Sequence, residues 1–232
     1  TIRTVPPLNL LMSGKHVSNL EPVQVEDLLG RTQVKADTDL MKNAVHGEVV
    51  LVTGAGGSIG GALSLELAKF SIKRLILLDI SEHAIYQIEQ QLLGLDVNCE
   101  ISVFMGDICD TRLLNYIQNC YKVTVIFHAA AYKHVPLVEK NVVQALKNNV
   151  FGTLNLIQFS EKYNIKKFSL ISSDKAVRPT NVMGATKRLA ELLLEAQADI
   201  NKNSGSTLYS MVRFGNVLGS SDLLSHCFKN KF

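Results

Sequence analysis

The sequence contains no basic run of five or more residues, and its net charge is only +3. A balance that weak leaves no electrostatic footprint for nucleic acid or an anionic membrane surface, so nucleic acid is not expected as a partner. The four cysteines, Cys99, Cys109, Cys120 and Cys227, show no CxxC spacing and no histidine at metal-site spacing. They speak against a zinc site or a disulfide framework and for buried, reduced thiols of a cytosolic protein; no metal is expected. No apolar stretch reaches the ~20 residues that a spanning helix needs, and the first residues lack the basic-then-apolar pattern of a secretory leader. There is no internal repeat and no low-complexity segment. What remains, 47% hydrophobic and 19% charged over 232 residues, describes a soluble globular chain. It is long enough for one full domain or a domain plus a fragment.

Residues 1–46 lack a convincing period. "TVPPLNLL" is extended by its paired prolines and "VEDLLGR" makes a turn or two of helix stopped by Gly30, so this stretch reads as a lead-in packed on a domain. From Glu48 the pattern changes. "EVVLVTG", "RLILLD", "ISVFMGD", "VTVIFHAA", "KFSLISS" and "TLYSMVRFGN" are short apolar runs of the kind buried parallel strands require. Between them lie the helical "SIGGALSLELAKF", "SEHAIYQIEQQLL", "DTRLLNYIQNC", capped by Asp110, "NVVQALKNNVFGTLNLIQFSEKY", opened by Asn141, and "TKRLAELLLEAQAD". Strict alternation with short connections predicts an α/β fold: a doubly wound parallel sheet with helices on both faces.

The first strand runs directly into "TGAGGSIG". Gly54, Gly57 and Gly60 there have the spacing that lets a backbone turn tightly and approach a pyrophosphate at a helix N-terminus. Ser58 and Ile59, inside the same loop, join them as cofactor candidates. Asp79 ends the second strand, where a carboxylate can accept from both ribose hydroxyls. It would repel a 2′-phosphate, and no Arg or Lys follows in "DISEHA", so NAD is expected over NADP. Asp107, with its neighbour Ile108, either meets the adenine or is an ordinary loop aspartate. Ala129 and Ala130 would let the backbone after the fourth strand pass close to the cofactor.

"VLVTGAGGSIG", "FHAAAYKHVPLVEKN", "NNVFGT", "SSDKAVRPTNVMGATKR" and "VRFGNVLGSS" together resemble the nucleotide-sugar 4,6-dehydratases of bacterial surface polysaccharide and glycan synthesis. These belong to the extended short-chain dehydrogenase superfamily and act on UDP-N-acetylglucosamine. The likeness extends from the start of the chain to Ser221, and "EPVQVEDLLGR" resembles the segment that joins membrane helices to the catalytic domain in the long members. It implies a lead-in over residues 1–46, a Rossmann-type NAD-binding domain with the catalytic residues over 47–221, and the start of a sugar-binding region at 222–232. The tail "DLLSHCFKNKF" departs from the family pattern, so the chain is expected to be truncated or incomplete. A cytoplasmic location, with membrane association only through segments outside this chain, is likewise implied.

Related dehydrogenases place a tyrosine four residues ahead of a helical lysine. Here Met183 precedes Lys187, and a thioether carries no proton. The long members of the resembled family have Met at this position, so Met183 matches a subgroup; core packing is the other reading. A 4,6-dehydration needs proton loss from O4, hydride transfer from C4, proton loss from C5 and protonated departure of the C6 hydroxyl. On this resemblance Asp174 protonates the leaving hydroxyl, which requires a carboxyl kept neutral by burial and sugar contact. Lys175 takes the C5 proton with a depressed pKa, and Ser173 bonds O4. Asp174 also takes the O4 proton, directly or through water, and Lys187 binds the nicotinamide ribose. Lys133, His134 and Asn216 are substrate-side candidates, His134 being equally readable as a plain loop histidine; Arg213, Gly215 and Gly219 shape the last loop. Asn149 is expected to bond backbone near the site. Two other readings stand beside the dehydratase. One is a sugar-nucleotide epimerase, for which "SDK" would be superfluous. The other is a non-catalytic NAD-binding module, against which the intact Ser173, Asp174, Lys175 and Lys187 argue. The long helix could also pair two copies in a homo-oligomer.

Overall fold

The structure, a computed structural model, describes residues 3–4, 21–22, 37–95, 97, 99–202 and 207–215. It divides into two compact units. In the first, β1 (Arg3–Thr4) and β2 (Glu21–Pro22) pair antiparallel. The second is the unit Thr38–Gly215, and it carries the sheet.

This unit opens with α1 (Thr38–Val45), a helix within the stretch whose sequence shows no convincing period. Eight residues are too few for a helix to stand alone in water. Tertiary contacts hold it: Val45 is buried against Val50 and Val125 in the core, and the Lys167 ammonium donates to the Ala44 carbonyl at 2.7 Å. The elements then follow as β3 (Val49–Thr53), α2 (Ser58–Leu67), β4 (Arg74–Asp79), α3 (Glu82–Leu93), β5 (Glu100–Met105), α4 (Thr111–Tyr121) and β6 (Val125–His128). After a loop come α5 (Val135–Lys140), α6 (Val142–Ala145), a π-helical stretch Leu146–Phe151, α7 (Gly152–Tyr163), β7 (Lys167–Ser173), the 3₁₀ turn Asp174–Ala176, α8 (Val182–Asn201) and β8 (Leu208–Phe214).

The six strands form one parallel sheet in the order β5-β4-β3-β6-β7-β8. Successive strands are added towards one edge up to β5 and towards the other from β6 on, and this reversal between β3 and β6 opens a crevice at their carboxyl ends. β3 is buried at every position, as a central parallel strand covered on both faces must be. Its alternate residues serve different cores. Val49 and Leu51 join Ile76, Leu78, Ile126 and Phe168 beneath α4, α7 and α8, while Val50 and Val52 join Leu75 and Leu77 beneath α1, α2 and α3. The expected doubly wound architecture is therefore present.

Local signals act as their chemistry dictates. The Asp110 carboxylate accepts from the Arg112 and Leu113 amides and starts α4. Ser81 caps α3, and Asn181 caps α8 by accepting from the Gly184 amide at 2.8 Å. Asn141 does stand ahead of the long helix, but its side-chain amide donates to the Leu137 carbonyl instead of capping. The thiols differ from expectation: Cys99, Cys109 and Cys120 are free, yet the first two are only half-buried and Cys120 is exposed on α4. Cys227 lies outside the described residues.

One buried polar group ties the centre together. His128, fully enclosed at the end of β6, meets the Thr53 hydroxyl at 2.8 Å through Nδ1 and the Thr153 hydroxyl at 2.9 Å through Nε2. The Thr153 hydroxyl spends its proton on the Asn149 carbonyl at 2.7 Å. Nε2 must therefore carry the ring proton, and Nδ1 accepts from Thr53. Burial, helped by the Lys187 charge, pushes the imidazole down to about 3. A histidine held neutral contributes stability that is complete above its unfolded value and is lost as pH falls below it. Between pH 7 and pH 5, the protein is predicted to lose about 2 kcal/mol more unfolding free energy than its His128→Gln variant, measured in urea. Equal losses in the two proteins would contradict the assignment.

Candidate active site

A cleft of about 270 Å³ opens at the carboxyl ends of β3, β4 and β6. Of the residues expected to hold a cofactor, Gly54, Gly57, Asp79, Asp107, Ile108, Ala129 and Ala130 line it. Gly54 has φ +69°, and a Cβ there would stand 2.5 Å from the Ala130 amide nitrogen. Gly60 does not reach the cleft; it lies beneath, where a Cβ would fall on the Gly54 carbonyl oxygen. Ser58 and Ile59 begin α2 beside the cleft and are not among its lining residues. Backbone alone fills this turn, so amides rather than side chains face a ligand at the α2 N-terminus.

Asp79 closes the other side. One carboxylate oxygen accepts from the Gly56 amide and the other from the Ser81 amide, each at 2.9 Å. This fixes the group at the mouth of the glycine turn and leaves further lone pairs for a diol. Asp107 is fixed similarly, accepting from the Cys109 amide at 2.8 Å. The neighbouring Cys109 thiol is pushed up to about 11 by burial and by Asp107, so it stays protonated. The narrow backbone cradle and the diol-accepting carboxylate fit a dinucleotide without a 2′-phosphate. Ser81, Tyr132 and Asn148 also line the cleft, a placement that no motif in the sequence announces.

Asn149 organises the adjoining loop. It is buried in the π-helical stretch, whose wider turn coincides with two successive asparagines, poor helix formers. Its carbonyl accepts from the Tyr132 amide at 2.8 Å, and its amide donates to the Tyr132 carbonyl and the Thr186 hydroxyl, both at 3.0 Å. The expected bond to backbone is thus made twice, and it fixes the loop behind Ala129 and Ala130. Lys133 and His134 follow, exposed, at the start of α5.

At the end of β7 the Ser173 hydroxyl donates to the Asp174 carboxylate at 3.1 Å and accepts from the Lys175 amide at 3.2 Å. The Lys175 ammonium stands 3.5 Å from the same carboxylate. The burial expected to hold Asp174 neutral is absent: its side chain is 56% exposed, and that of Lys175 is 41% exposed. The turn is seated by α8, since a Cβ on Gly184 would fall on the Lys175 carbonyl.

Met183 is buried with Val138 and Ala145, which is a packing environment. Lys187, one turn on, is buried too, and its ammonium donates to the Ile171 carbonyl at 2.7 Å. Burial lowers it to about 8, against an opposing pull from Glu191. Glu191, which the sequence reading passed over, is fully buried. Burial pushes its carboxyl up, but hydrogen bonds from Arg213, Ser172 and Arg188 outweigh this and hold it at about 2. Arg213 is placed by this contact. Asn216 and Gly219 lie outside the described residues, and no helix among the described residues is long and apolar enough to cross a membrane.

The polysaccharide biosynthesis protein family matches residues 50–232. The capsular polysaccharide biosynthesis protein CapD of Staphylococcus aureus is 41% identical over 229 residues, 98% of this chain and 38% of its own length. A UDP-N-acetylglucosamine 4,6-dehydratase (inverting) of Campylobacter jejuni is 33% identical, over 79% of this chain and 53% of its own. A UDP-glucose 4-epimerase of Rickettsia rickettsii is 32% identical, also over 79% and 53%. The chain thus spans about half or less of the length of these relatives.

The glycine cradle makes a differential prediction. Gly60→Ala, which drives a methyl into the Gly54 carbonyl, should weaken NAD binding by calorimetry at least tenfold. Gly61→Ala, whose Cβ would meet nothing nearer than 3.4 Å, should leave it within twofold. Equal effects at the two positions would contradict the cradle.

Proposed function

The chain belongs to the polysaccharide biosynthesis protein family, and on that premise we propose that it is the NAD-dependent core of a nucleotide-sugar 4,6-dehydratase. Its substrate is UDP-N-acetylglucosamine and its product a UDP-4-keto-6-deoxy sugar for surface polysaccharide or glycan synthesis. The observation that carries the reading is the Ser173–Asp174–Lys175 turn. A hydroxyl, a carboxylate and an ammonium converge within 3.5 Å at the end of β7, one strand over from the dinucleotide cleft, while the tyrosine position is a buried methionine.

NAD, when bound, accepts the C4 hydride and returns it to C6. The chain's residues handle the protons. Ser173 orients O4, and Asp174 takes the O4 proton as the 4-keto group forms. That keto group acidifies C5, and Lys175 removes the C5 proton. Asp174 then delivers its proton to the departing C6 hydroxyl, which leaves as water, and Lys175 returns its proton to C5. One water is lost and each group ends as it began. The cycle starts with Asp174 as the carboxylate, able to take the O4 proton, and Lys175 as the free amine, able to take the C5 proton. Lys187, lowered to about 8 by burial, holds the Ile171 carbonyl and would bind the nicotinamide ribose, although it is not among the residues that line the cleft.

C4 epimerisation needs only oxidation and re-reduction, so it has no use for an acid and a base beyond O4. The full-length protein with UDP-N-acetylglucosamine should therefore give a product lighter by one water in mass spectrometry. Asp174→Asn and Lys175→Met should each slow that loss by about a hundredfold or more, the usual scale for a general acid or base, while NAD stays bound. An unchanged mass with an inverted C4 would establish epimerisation. NAD binding with no turnover would establish a non-catalytic module.

A further inference from the structure

Glu191 has no exposed side-chain surface, and an unpaired carboxylate in that position would cost several kcal/mol. Its two oxygens accept four hydrogen bonds. The Ser172 hydroxyl donates at 2.6 Å and Arg213 Nε at 2.8 Å to Oε1; Arg213 Nη2 donates at 2.7 Å and Arg188 Nη1 at 3.0 Å to Oε2. The Arg213 fork is bidentate, the geometry with the greatest directional specificity.

The two outer partners are not independent. Ser172 and Arg213 face each other across the β7–β8 ladder, the last pair but one before both strands end. Glu191 therefore staples two adjacent strands at their carboxyl ends from a single point on α8. One turn earlier on the helix, Lys187 grips the preceding residue of β7 through the Ile171 carbonyl. What lies beyond the staple is the site. Ser173, Asp174 and Lys175 follow Ser172 directly, and Phe214 and Gly215 follow Arg213. The Gly215 Cβ position is 3.8 Å from the Asp174 carboxylate. An apolar cluster of equal volume would stabilise the fold as well, but it would not fix the register of a parallel strand pair to one residue.

We infer that Glu191 is a positioning residue, stapling Ser172 to Arg213 so that the Ser173–Lys175 turn and the end of β8 are held in one register. The consequence for turnover rests on the dehydratase reading; the consequence for local order does not. The test is made on the full-length protein with Glu191→Gln, with Ser172→Ala, which removes a single bond, and with the apolar pair Glu191→Leu/Arg213→Leu. Hydrogen exchange read by mass spectrometry should show the amides of residues 212–215 at least tenfold faster in Glu191→Gln and smaller changes in Ser172→Ala. The glycine turn at 54–60 should be unchanged in both. On UDP-N-acetylglucosamine, kcat should fall at least tenfold in Glu191→Gln with the KM for NAD held within twofold. The apolar pair should recover the melting temperature but not kcat. Recovery of kcat together with the melting temperature, or exchange that rises uniformly or not at all, would overturn the inference. If the wild-type protein releases no water, the dehydratase reading fails and exchange alone decides: local acceleration upholds the staple, and its absence removes it.

Discussion

Two opposite charges, the Lys187 ammonium and the Glu191 carboxylate, are buried one turn apart on α8, and their hydrogen-bond partners, Arg188 on the same helix apart, sit at the carboxyl end of the sheet. Buried ions demand fixed partners. Lys187 takes a β7 carbonyl, and Glu191 takes a β7 hydroxyl and a β8 guanidinium. Helix and strand ends therefore share one frame. The same charge reaches the middle of the sheet, since Lys187 helps hold His128 neutral, and His128 bridges Thr53 on β3 to Thr153 on α7. Asn149, whose backbone carbonyl accepts from the Thr153 hydroxyl, extends the frame to the Tyr132 loop. Buried polar groups thus lie beneath both the dinucleotide cleft and the Asp174–Lys175 turn.

The two sides of the site differ in what they are built from. The cofactor side is built almost entirely of backbone, with Gly54 and Gly60 leaving no room for side chains and Asp79 clamped by two amides. It binds by shape and dipole. The other side presents side chains, Ser173, Asp174 and Lys175, on a short turn after β7, and the proposed reading gives them the protons to move.

Much of this was legible in the sequence, and for a physical reason. Strands buried on both faces read as apolar runs, and the order strand, glycine turn, helix, strand, Asp79 constrains backbone geometry directly. Asn149 was legible as an anomaly, because adjacent asparagines inside a helix signal a broken hydrogen-bond ladder. What escaped depends on contacts distant in sequence. α1 is too short and too polar to declare itself without Val45 meeting the core. Glu191 looks like any glutamate on an amphipathic helix until the fold brings Ser172 and Arg213 to it. The exposure of Asp174 and Lys175 runs against the burial that their chemistry suggested, because the sequence names the groups without showing what covers them. Met183 illustrates the opposite limit: the residue that breaks the tyrosine pattern is simply packed against Val138 and Ala145.

A site without the tyrosine can still carry out dehydration if its protons move through the β7 turn, and C5 is the atom that reports it. Turnover of UDP-N-acetylglucosamine by the full-length protein in D₂O, followed by mass spectrometry and NMR of the sugar, tests this most directly. The account predicts a product that has lost one water and carries solvent deuterium at C5 but none at C6, where the hydride from C4 arrives. A sugar of unchanged mass with no deuterium on carbon would contradict it.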